Sequence, residues 1–520
     1  MPTITIDNRP VDVPEGATVL DAARKLGIDV PALCYREGCE ANTSCMACVV
    51  RVDGRANLVP SCATKAVEGM RVESEADDIR AVRRTALELL LSDHLGDCLA
   101  PCHTVCPATM NIPLMIRQIA AGRMREAIAT VKADIALPAV LGRICPAPCE
   151  KACRRGSRDA PVAICLLKRY AADVDLASGD PYLPDRAGPS GKSVAIVGAG
   201  PTGLAAAYYL LQAGHACTLF DDRPAPGGML RYGVPEAELD RGVLDAEIEI
   251  VRRLGAELRS GTRVGEAVSM DELRRGFDAV FVAAGQIDEA QAAALALEWT
   301  AAGARADRRT FQTPTPEVFA SVSPRQQKMA VRAVAAGKGA AASIDQFLAG
   351  RAVPGERRPF SVHVGKLKDG EIDRFMEGVS AAARVAPADP AAGFAQGEAV
   401  AEGLRCLHCD CRRPHDCLLR KYADAYDAEA SKYKAERQTF RQVLQHAEVI
   451  FEPGKCIKCG LCVQITARAG ERLGLTFVGR GFRAHVAVPL DHSLAEGLEK
   501  AAADCVAACP TAALAFRDKP

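Results

Sequence analysis

Lys192 to Leu210, KSVAIVGAGPTGLAAAYYL, decides how the middle of this chain folds. An apolar run, Val194–Val197, ends in Gly198-Ala-Gly200-Pro201-Thr202-Gly203, and an Ala/Leu-rich stretch follows. Apolar run, glycine turn and helical pattern read as strand, tight turn and helix. Glycines there let backbone approach a pyrophosphate, and the helix start offers free N–H groups and a favourable dipole. An acid should follow about 20 residues on, to meet a ribose hydroxyl. Asp221, closing the strand Cys217-Thr-Leu-Phe220, fits that position. The plainer alternative is a tight turn in a parallel sheet.

Working outward, 520 residues suggest about 3–4 domains, and a hydrophobic share of 49% is ample for packed cores. Lys+Arg and Asp+Glu balance at 65 each, which argues against nucleic-acid or anionic-membrane binding through a bulk field. The start, MPTITIDNRPVDVPEG, lacks a basic and apolar leader, and no uncharged run is long enough to span a bilayer. A soluble, cytoplasmic chain is expected. Its 22 cysteines fall into tight groups at metal-ligand spacings, which favours iron–sulfur sites over disulfides.

In residues 1–80, Thr3-Ile-Thr-Ile6 alternates, Asn8-Arg9 turns, and Ala17 to Leu26 reads as a helix. Cys34, Cys45, Cys48 and Cys62 follow at C-x10-C-x2-C-x13-C, a set suited to one [2Fe–2S] cluster. With Pro31-Ala-Leu-Cys34 and Glu68-Gly-Met-Arg-Val72, this stretch resembles the β-grasp domain of the large iron–sulfur subunit of complex-I-type NADH dehydrogenases and hydrogenases. The resemblance runs on through Leu87 to Cys98. There the family carries a [4Fe–4S] cluster with one histidine and three cysteines, and His94-x3-Cys98 keeps the first two positions.

Beyond it the pattern becomes Cys98-x3-Cys102-x3-Cys106-Pro107, answered by Cys145-x3-Cys149-x3-Cys153 across a helical segment, 112–133. This pair of triplets resembles the helical double-cluster domain of the glutamate synthase small subunit and dihydropyrimidine dehydrogenase. Ligand sharing in that family implies one [4Fe–4S] cluster on Cys98, Cys102 and Cys153, with His94 as fourth ligand. A second is implied on Cys106, Cys145 and Cys149. Where the family has a Gln or Glu ligand this chain has Lys168, so Cys165, on the same helix face, is the candidate replacement.

The same resemblance extends over the glycine loop. Gly227-Gly228-Met229-Leu230-Arg-Tyr232-Gly-Val-Pro235 resembles the loop beside that family's flavin, and Phe277 to Gly285, with Ala284, the strand closing its FAD half. The family then inserts an NADPH domain. Here only residues 286–311 intervene before Gln312-Thr-Pro-Thr-Pro-Glu-Val-Phe319-Ala320, fewer than the ~30 of one βαβ unit. A nicotinamide domain is therefore expected to be missing. Ser321-Val-Ser323 replaces the family's Gly-Asp pair at the flavin.

Residues 351–400 read as a largely extended connector. Cys406-x2-Cys409-x-Cys411-x5-Cys417 follows and is expected to hold a further [4Fe–4S] cluster, with zinc as the alternative; Leu418 to Ala447 reads as a solvated or docking helix. The C-terminal run Cys456-x2-Cys459-x2-Cys462, with Cys509-Pro510, is similar to one half of a two-cluster bacterial ferredoxin. Thr466 stands where the other half would continue, which leaves Cys505 alone.

The sequence thus describes a multidomain α/β and α+β chain. It divides into a β-grasp domain (1–80), a helical double-cluster domain (81–188), a Rossmann-like FAD domain (189–350), a connector (351–400), a Cys-rich segment and helix (401–447) and a ferredoxin-like module (448–520). FAD, one [2Fe–2S] and four [4Fe–4S] clusters are the expected cofactors. The expected role is electron transfer in a multi-subunit oxidoreductase, between an NAD(P)H-oxidising flavin subunit and ferredoxin or a catalytic subunit of hydrogenase, formate dehydrogenase or 2-oxoacid oxidoreductase type, with electron bifurcation left open. A self-sufficient NAD(P)H oxidoreductase, a cluster-bearing scaffold and a zinc-rich interaction protein are the alternatives.

Overall fold

The computed structural model describes residues 1–301, 303–323, 329–433 and 436–517. The chain forms two compact units. The first comprises Met1–Ala100, Pro359–Gly378 and His408–Pro520, and the second Pro101–Arg358 and Val379–Leu407. The two units thus alternate along the sequence, and the changes after Ala100 and before His408 fall inside two of the cysteine runs.

The first unit begins with a five-stranded mixed sheet. Strands β1 (Thr3–Ile6), β2 (Arg9–Asp12), β3 (Val49–Val52), β4 (Val59–Pro60) and β5 (Arg71–Glu73) lie in the order β2-β1-β5-β3-β4. Only β1 and β5 run parallel. Alternation in β1 sends Ile4 and Ile6 into a core that also takes Val19, Leu20, Ala22 and Ala23 from helix α1 (Val19–Lys25). Thr18 and Asp21 form a reciprocal capping box at the start of α1. Helix α2 (Asp77–Ser92) buries Leu87 and Leu91 and leads to the first cysteine run.

The second unit packs α3 (Ile112–Ala120), α4 (Met124–Lys132), α5 (Pro138–Ile144) and α6 (Ile164–Ala177) beside a parallel sheet. That sheet contains β6 (Ser193–Val197), β7 (Ala216–Asp221), β8 (Glu257–Ser260), β9 (Ala279–Gln286) and β10 (Val318–Ser323), in the order β10-β9-β6-β7-β8. Helices α7 (Pro201–Gln212) and α9 (Ala330–Leu348) pack closely, and α8 (Arg241–Arg253) flanks them. Glu247 of α8 ties sheet and helices together: its two oxygens accept the N–H groups of Ala139 and Val140 at the start of α5, at 2.9 and 3.0 Å. Residues 286–311 hold a helix of one to two turns, Glu289–Ala294, and a two-residue-per-strand hairpin, with no second parallel sheet among the described residues.

The span 351–400 differs from the extended connector expected of it. Val362, Val364 and Phe375 are buried in the first unit, and Glu371, in the short helix Glu371–Met376, accepts hydrogen bonds from Arg437 and from the Phe440 N–H. In the second unit, Glu402, at the end of the helix α10 (Gln396–Gly403), receives the Ala163 and Val385 N–H groups and pairs with buried Arg405. Glu371 inside the span and Glu402 just beyond it are the ties that fix the segment. Likewise the helix after Cys417 ends at Ala425, and it buries Leu419, Tyr422 and Ala423 rather than facing solvent throughout.

Candidate functional site

The glycine loop lies where its sequence places it, between β6 and α7, at the mouth of a cleft of about 520 Å³. Gly198, Gly200, Pro201, Thr202, Asp221, Gly228, Met229, Tyr232, Ala284 and Gly285 all line this cleft. Gly203, Gly227 and Leu230 do not; Leu230 is fully buried, and Gly203 lets α7 rest on the Gly198 carbonyl. Gly198 has φ +109, and a side chain there would stand 2.6 Å from the Ala283 carbonyl oxygen, so only glycine fits the turn.

Asp221 does more than end β7. Its carboxylate accepts the Ala199 N–H at 2.6 Å and the Arg223 N–H at 2.9 Å, bracing the loop from below while still facing the cleft. Burial pushes its pKa up, against the lowering effect of those two N–H groups. The rim adds groups that the motif alone does not mark. Arg223 lies over the Tyr232 ring, and Arg263 pairs with Asp222 at 2.9 Å. Ser321 and Ser323 line the opposite wall. Helix-start amides, close glycine backbone and an apolar wall suit a dinucleotide pyrophosphate and an extended ring system.

In the same unit Cys106 and Cys149 are buried, and Cys102, Cys145, Cys153 and Cys406 pack against or within the same core. Cys145 and Cys165 are hydrogen-bonded neighbours, and the Cys165 sulfur lies 3.5 Å from the carbonyls of Leu141 and Gly142. The hydrogen bond from Cys165 outweighs burial and brings Cys145 down to about 6. Burial works against the charged form of Lys168, but the negative charge of Cys165, Cys145, Cys149 and Cys106 outweighs it and pushes the Lys168 pKa up.

In the first unit, the Sγ atoms of Cys34 and Cys45 are 3.4 Å apart, as are those of Cys48 and Cys62. The sulfur-to-sulfur hydrogen bonds split each pair: Cys34 is held down at about 2 and Cys48 at about 6, while Cys45 and Cys62, which hold the protons, are pushed up. Cys456, Cys459, Cys462 and Cys509 likewise sense one another's charge, and Cys505 is a fully buried neighbour whose sulfur lies 3.8 Å from the Cys462 carbonyl. The buried Thr466 hydroxyl is spent on the Cys462 and Val463 carbonyls and the Leu475 N–H. Cys34, Cys45, Cys98, Cys417 and Cys459 share one hydrophobic core.

The structure brings together two cysteines, Cys98 and Cys411, that the sequence reading put in separate groups. Cys98 was expected beside Cys102 and Cys153, and Cys406, Cys409, Cys411 and Cys417 together. Instead Cys98 lies in the first unit, its N–H donating to Val362 O at 3.1 Å and its carbonyl accepting the Cys411 N–H at 3.4 Å. Its thiol senses Cys411, and Cys417 senses both. Cys406 packs in the core of the second unit. The reason is topological: the chain leaves the first unit after Ala100, returns for Pro359–Gly378 and returns again at His408, so the cysteine runs around Ala100 and His408 are each divided at a change of unit.

His94 stands four residues before Cys98. Burial and the nearby Lys455 charge bring its pKa down to about 4, so the imidazole is neutral. Its Nδ1 is buried without a hydrogen-bond partner. A buried, bare ring nitrogen is costly unless something binds it, and neutral imidazole is an iron ligand.

Comparison with known proteins follows the same division. Residues 1–77 match the 2Fe-2S iron-sulfur cluster binding domain, 95–180 the 4Fe-4S domain II of dihydropyrimidine dehydrogenase, and 196–251 an NAD(P)-binding Rossmann-like domain. The chain is 44% identical over 207 residues to the beta subunit of an NADP(+)-dependent formate dehydrogenase of Moorella thermoacetica, covering 36% of this chain and 29% of that one. It is 41% identical over 190 residues to an NADPH-Fe(3+) oxidoreductase beta subunit of Geobacter sulfurreducens (36% and 28%). Identity is also 41% over 192 residues to the glutamate synthase [NADPH] small chain of Mycobacterium tuberculosis (36% and 39%). The matched part thus spans well under half of each relative's own length. No helix among the described residues is long and apolar enough to cross a membrane.

Proposed function

We propose that this chain is an electron-transfer subunit of a multi-subunit oxidoreductase, carrying FAD, one [2Fe–2S] cluster and four [4Fe–4S] clusters. It relays electrons between an NAD(P)H-linked flavin partner and a ferredoxin or catalytic redox subunit. One observation carries the reading: many buried thiol groups accompany a dinucleotide-type cleft, and the described residues between Gly285 and Gln312 form no second nucleotide sheet. The relatives, named as subunits of NADP- or NADPH-linked enzymes, support a redox role of this class.

The [2Fe–2S] cluster is assigned to Cys34, Cys45, Cys48 and Cys62, and [4Fe–4S] clusters to three further complete sets. These are His94, Cys98, Cys411 and Cys417; Cys106, Cys145, Cys149 and Cys165; and Cys456, Cys459, Cys462 and Cys509. Cys102, Cys153 and Cys406 furnish thiols for the fourth, and Cys409 lies in the same C-x2-C step as Cys406. When bound, FAD exchanges electrons in pairs or singly and the clusters singly. The chain's own contribution is positional. Asp221 holds the glycine loop, Arg223 and Tyr232 shape the cleft rim, and the core shared by Cys34, Cys98, Cys417 and Cys459 keeps water from the thiols.

The test is reduction of the anaerobically reconstituted full chain, followed by loss of visible absorbance. Dithionite or reduced ferredoxin should bleach it, whereas NADH or NADPH alone should leave it oxidised. Rapid bleaching by either nucleotide would instead establish a self-sufficient NAD(P)H oxidoreductase.

A further inference from the structure

Residues 286–311 are too few for a second nucleotide domain, yet Ile287, Gln291, Ala294 and Leu295 line the dinucleotide cleft. The strand order β10-β9-β6-β7-β8 fixes which half of the cleft they serve. The glycine turn at the end of β6 marks the pyrophosphate, and the acid ending the next strand, Asp221, marks the ribose of the adenosine half. That half therefore lies over β7 and β8. The other half lies over β9 and β10, where Ser321 and Ala333 line the wall. The loop after β8 is held beside Asp221: the Thr262 N–H donates to the Asp221 carbonyl at 2.8 Å, and the Gly261 N–H to the Arg223 carbonyl at 2.9 Å.

The insert starts at the end of β9, on the far side of β6, yet it packs onto that loop. Ile287, Ala292, Leu295 and Leu297 share a core with Phe220 and Val264. A Cβ on Gly265, which has φ +96, would stand 3.1 Å from the Ala294 carbonyl oxygen and 3.2 Å from Ala294 Cβ. The short helix Glu289–Ala294 thus reaches back across the carboxyl ends of the strands, where ligands of open parallel sheets bind. A capping box sets the carboxamide of Gln291: its Oε1 accepts the Asp288 N–H at 3.0 Å, which leaves Nε2 to donate. Val264, Ala294 and Leu295 offer apolar surface to a flat ring, and an amide donor suits the acceptor nitrogens of a purine.

We propose that this insert is the adenine-side wall of the cleft: Val264, Gly265, Ala294 and Leu295 hold the base of the bound dinucleotide, and Gln291 donates to its edge. The inference rests on the FAD assignment given under the proposed function. The segment standing in place of a nicotinamide domain then secures FAD by its adenosine half, and FMN, which lacks adenosine, gains nothing from it.

The experiment is a binding titration on the full chain stripped of flavin, with FAD followed by its fluorescence and ADP by competition. ADP should displace FAD from the wild type. Gln291→Ala should weaken FAD and ADP alike, roughly fivefold for one lost hydrogen bond, and Ala294→Phe should weaken both by about tenfold or more by filling the slot. Ser321→Phe, at the other end, should weaken FAD and leave ADP unchanged. Glu289→Ala, on the same helix but outside the cleft lining, should change neither. Wild-type affinity for ADP in both Gln291→Ala and Ala294→Phe overturns the proposal, and loss of ADP binding in Ser321→Phe but not in Ala294→Phe reverses the cleft and overturns it too. A wild-type chain that binds neither FAD nor ADP defeats the proposed FAD site itself, and the inference falls with it.

Discussion

Gly337→Ala tests whether the dinucleotide cleft depends on the close approach of α7 and α9. In an open helix, replacing glycine by alanine gains up to ~1 kcal/mol. At Gly337 the new methyl would lie 2.9 Å from both Ala205 Cβ and the Ala206 nitrogen, and closer still to the Thr202 carbonyl oxygen. Two of those three obstacles are backbone, so no rotamer change relieves them. Overpacking of this kind costs typically ~1–3 kcal/mol, and the rigid partners place this site at the upper end. The balance is a loss of about 2 kcal/mol, or ~30-fold in a local opening equilibrium. Thr202 lines the cleft, so the same displacement should weaken FAD retention. Hydrogen exchange of the full chain should show α7 and α9 amides exchanging ~30-fold faster, with the first unit unchanged. Gly397→Ala in α10 is the control, since nothing lies within 4 Å of its added methyl; it should exchange no faster than wild type. Exchange in Gly337→Ala at or below the wild-type rate, with full flavin content, would refute the packing argument.

Cys98→Ala and Cys411→Ala should each remove one and the same EPR signal, while Cys406→Ala removes a different one; coincidence of the Cys406 and Cys411 losses would restore the sequence-based grouping. His94→Ala should alter the Cys98 signal and leave the Cys34 signal unchanged, as seen by EPR of the reduced chain. Glu371 gives a pH dependence. Burial pushes its pKa up, but Arg437 and the Phe440 and Lys368 N–H groups outweigh this and hold it at about 2, below the usual 4.5. A depressed carboxylate stabilises the fold above 4.5, and that contribution is lost as the pH falls toward 2; the shift corresponds to about 3 kcal/mol. Denaturant unfolding should therefore find Glu371→Gln weaker than wild type at neutral pH, with the gap closing in acid; a constant gap would show that the carboxylate's charge is irrelevant.

Local chemistry was legible wherever it is local. The glycine turn, the alternation of Thr3–Ile6 and the shortness of 286–311 are properties of a few consecutive residues, and each lies as its spacing requires. The exchange of partners among Cys98, Cys406 and Cys411 was not legible, because spacing reports neighbours along the chain and these thiols lie at the points where it passes from one unit to the other. The same limit hid the structure within the connector: a charged, proline-rich stretch looks extended until Arg437 arrives to pair with its buried carboxylate, Glu371. Composition alone determined that this chain is rich in thiols and carries a nucleotide turn. Tertiary structure decided which thiols face one another, since a ligand set is defined by distances in space, and those depend on where the chain changes from one unit to the other.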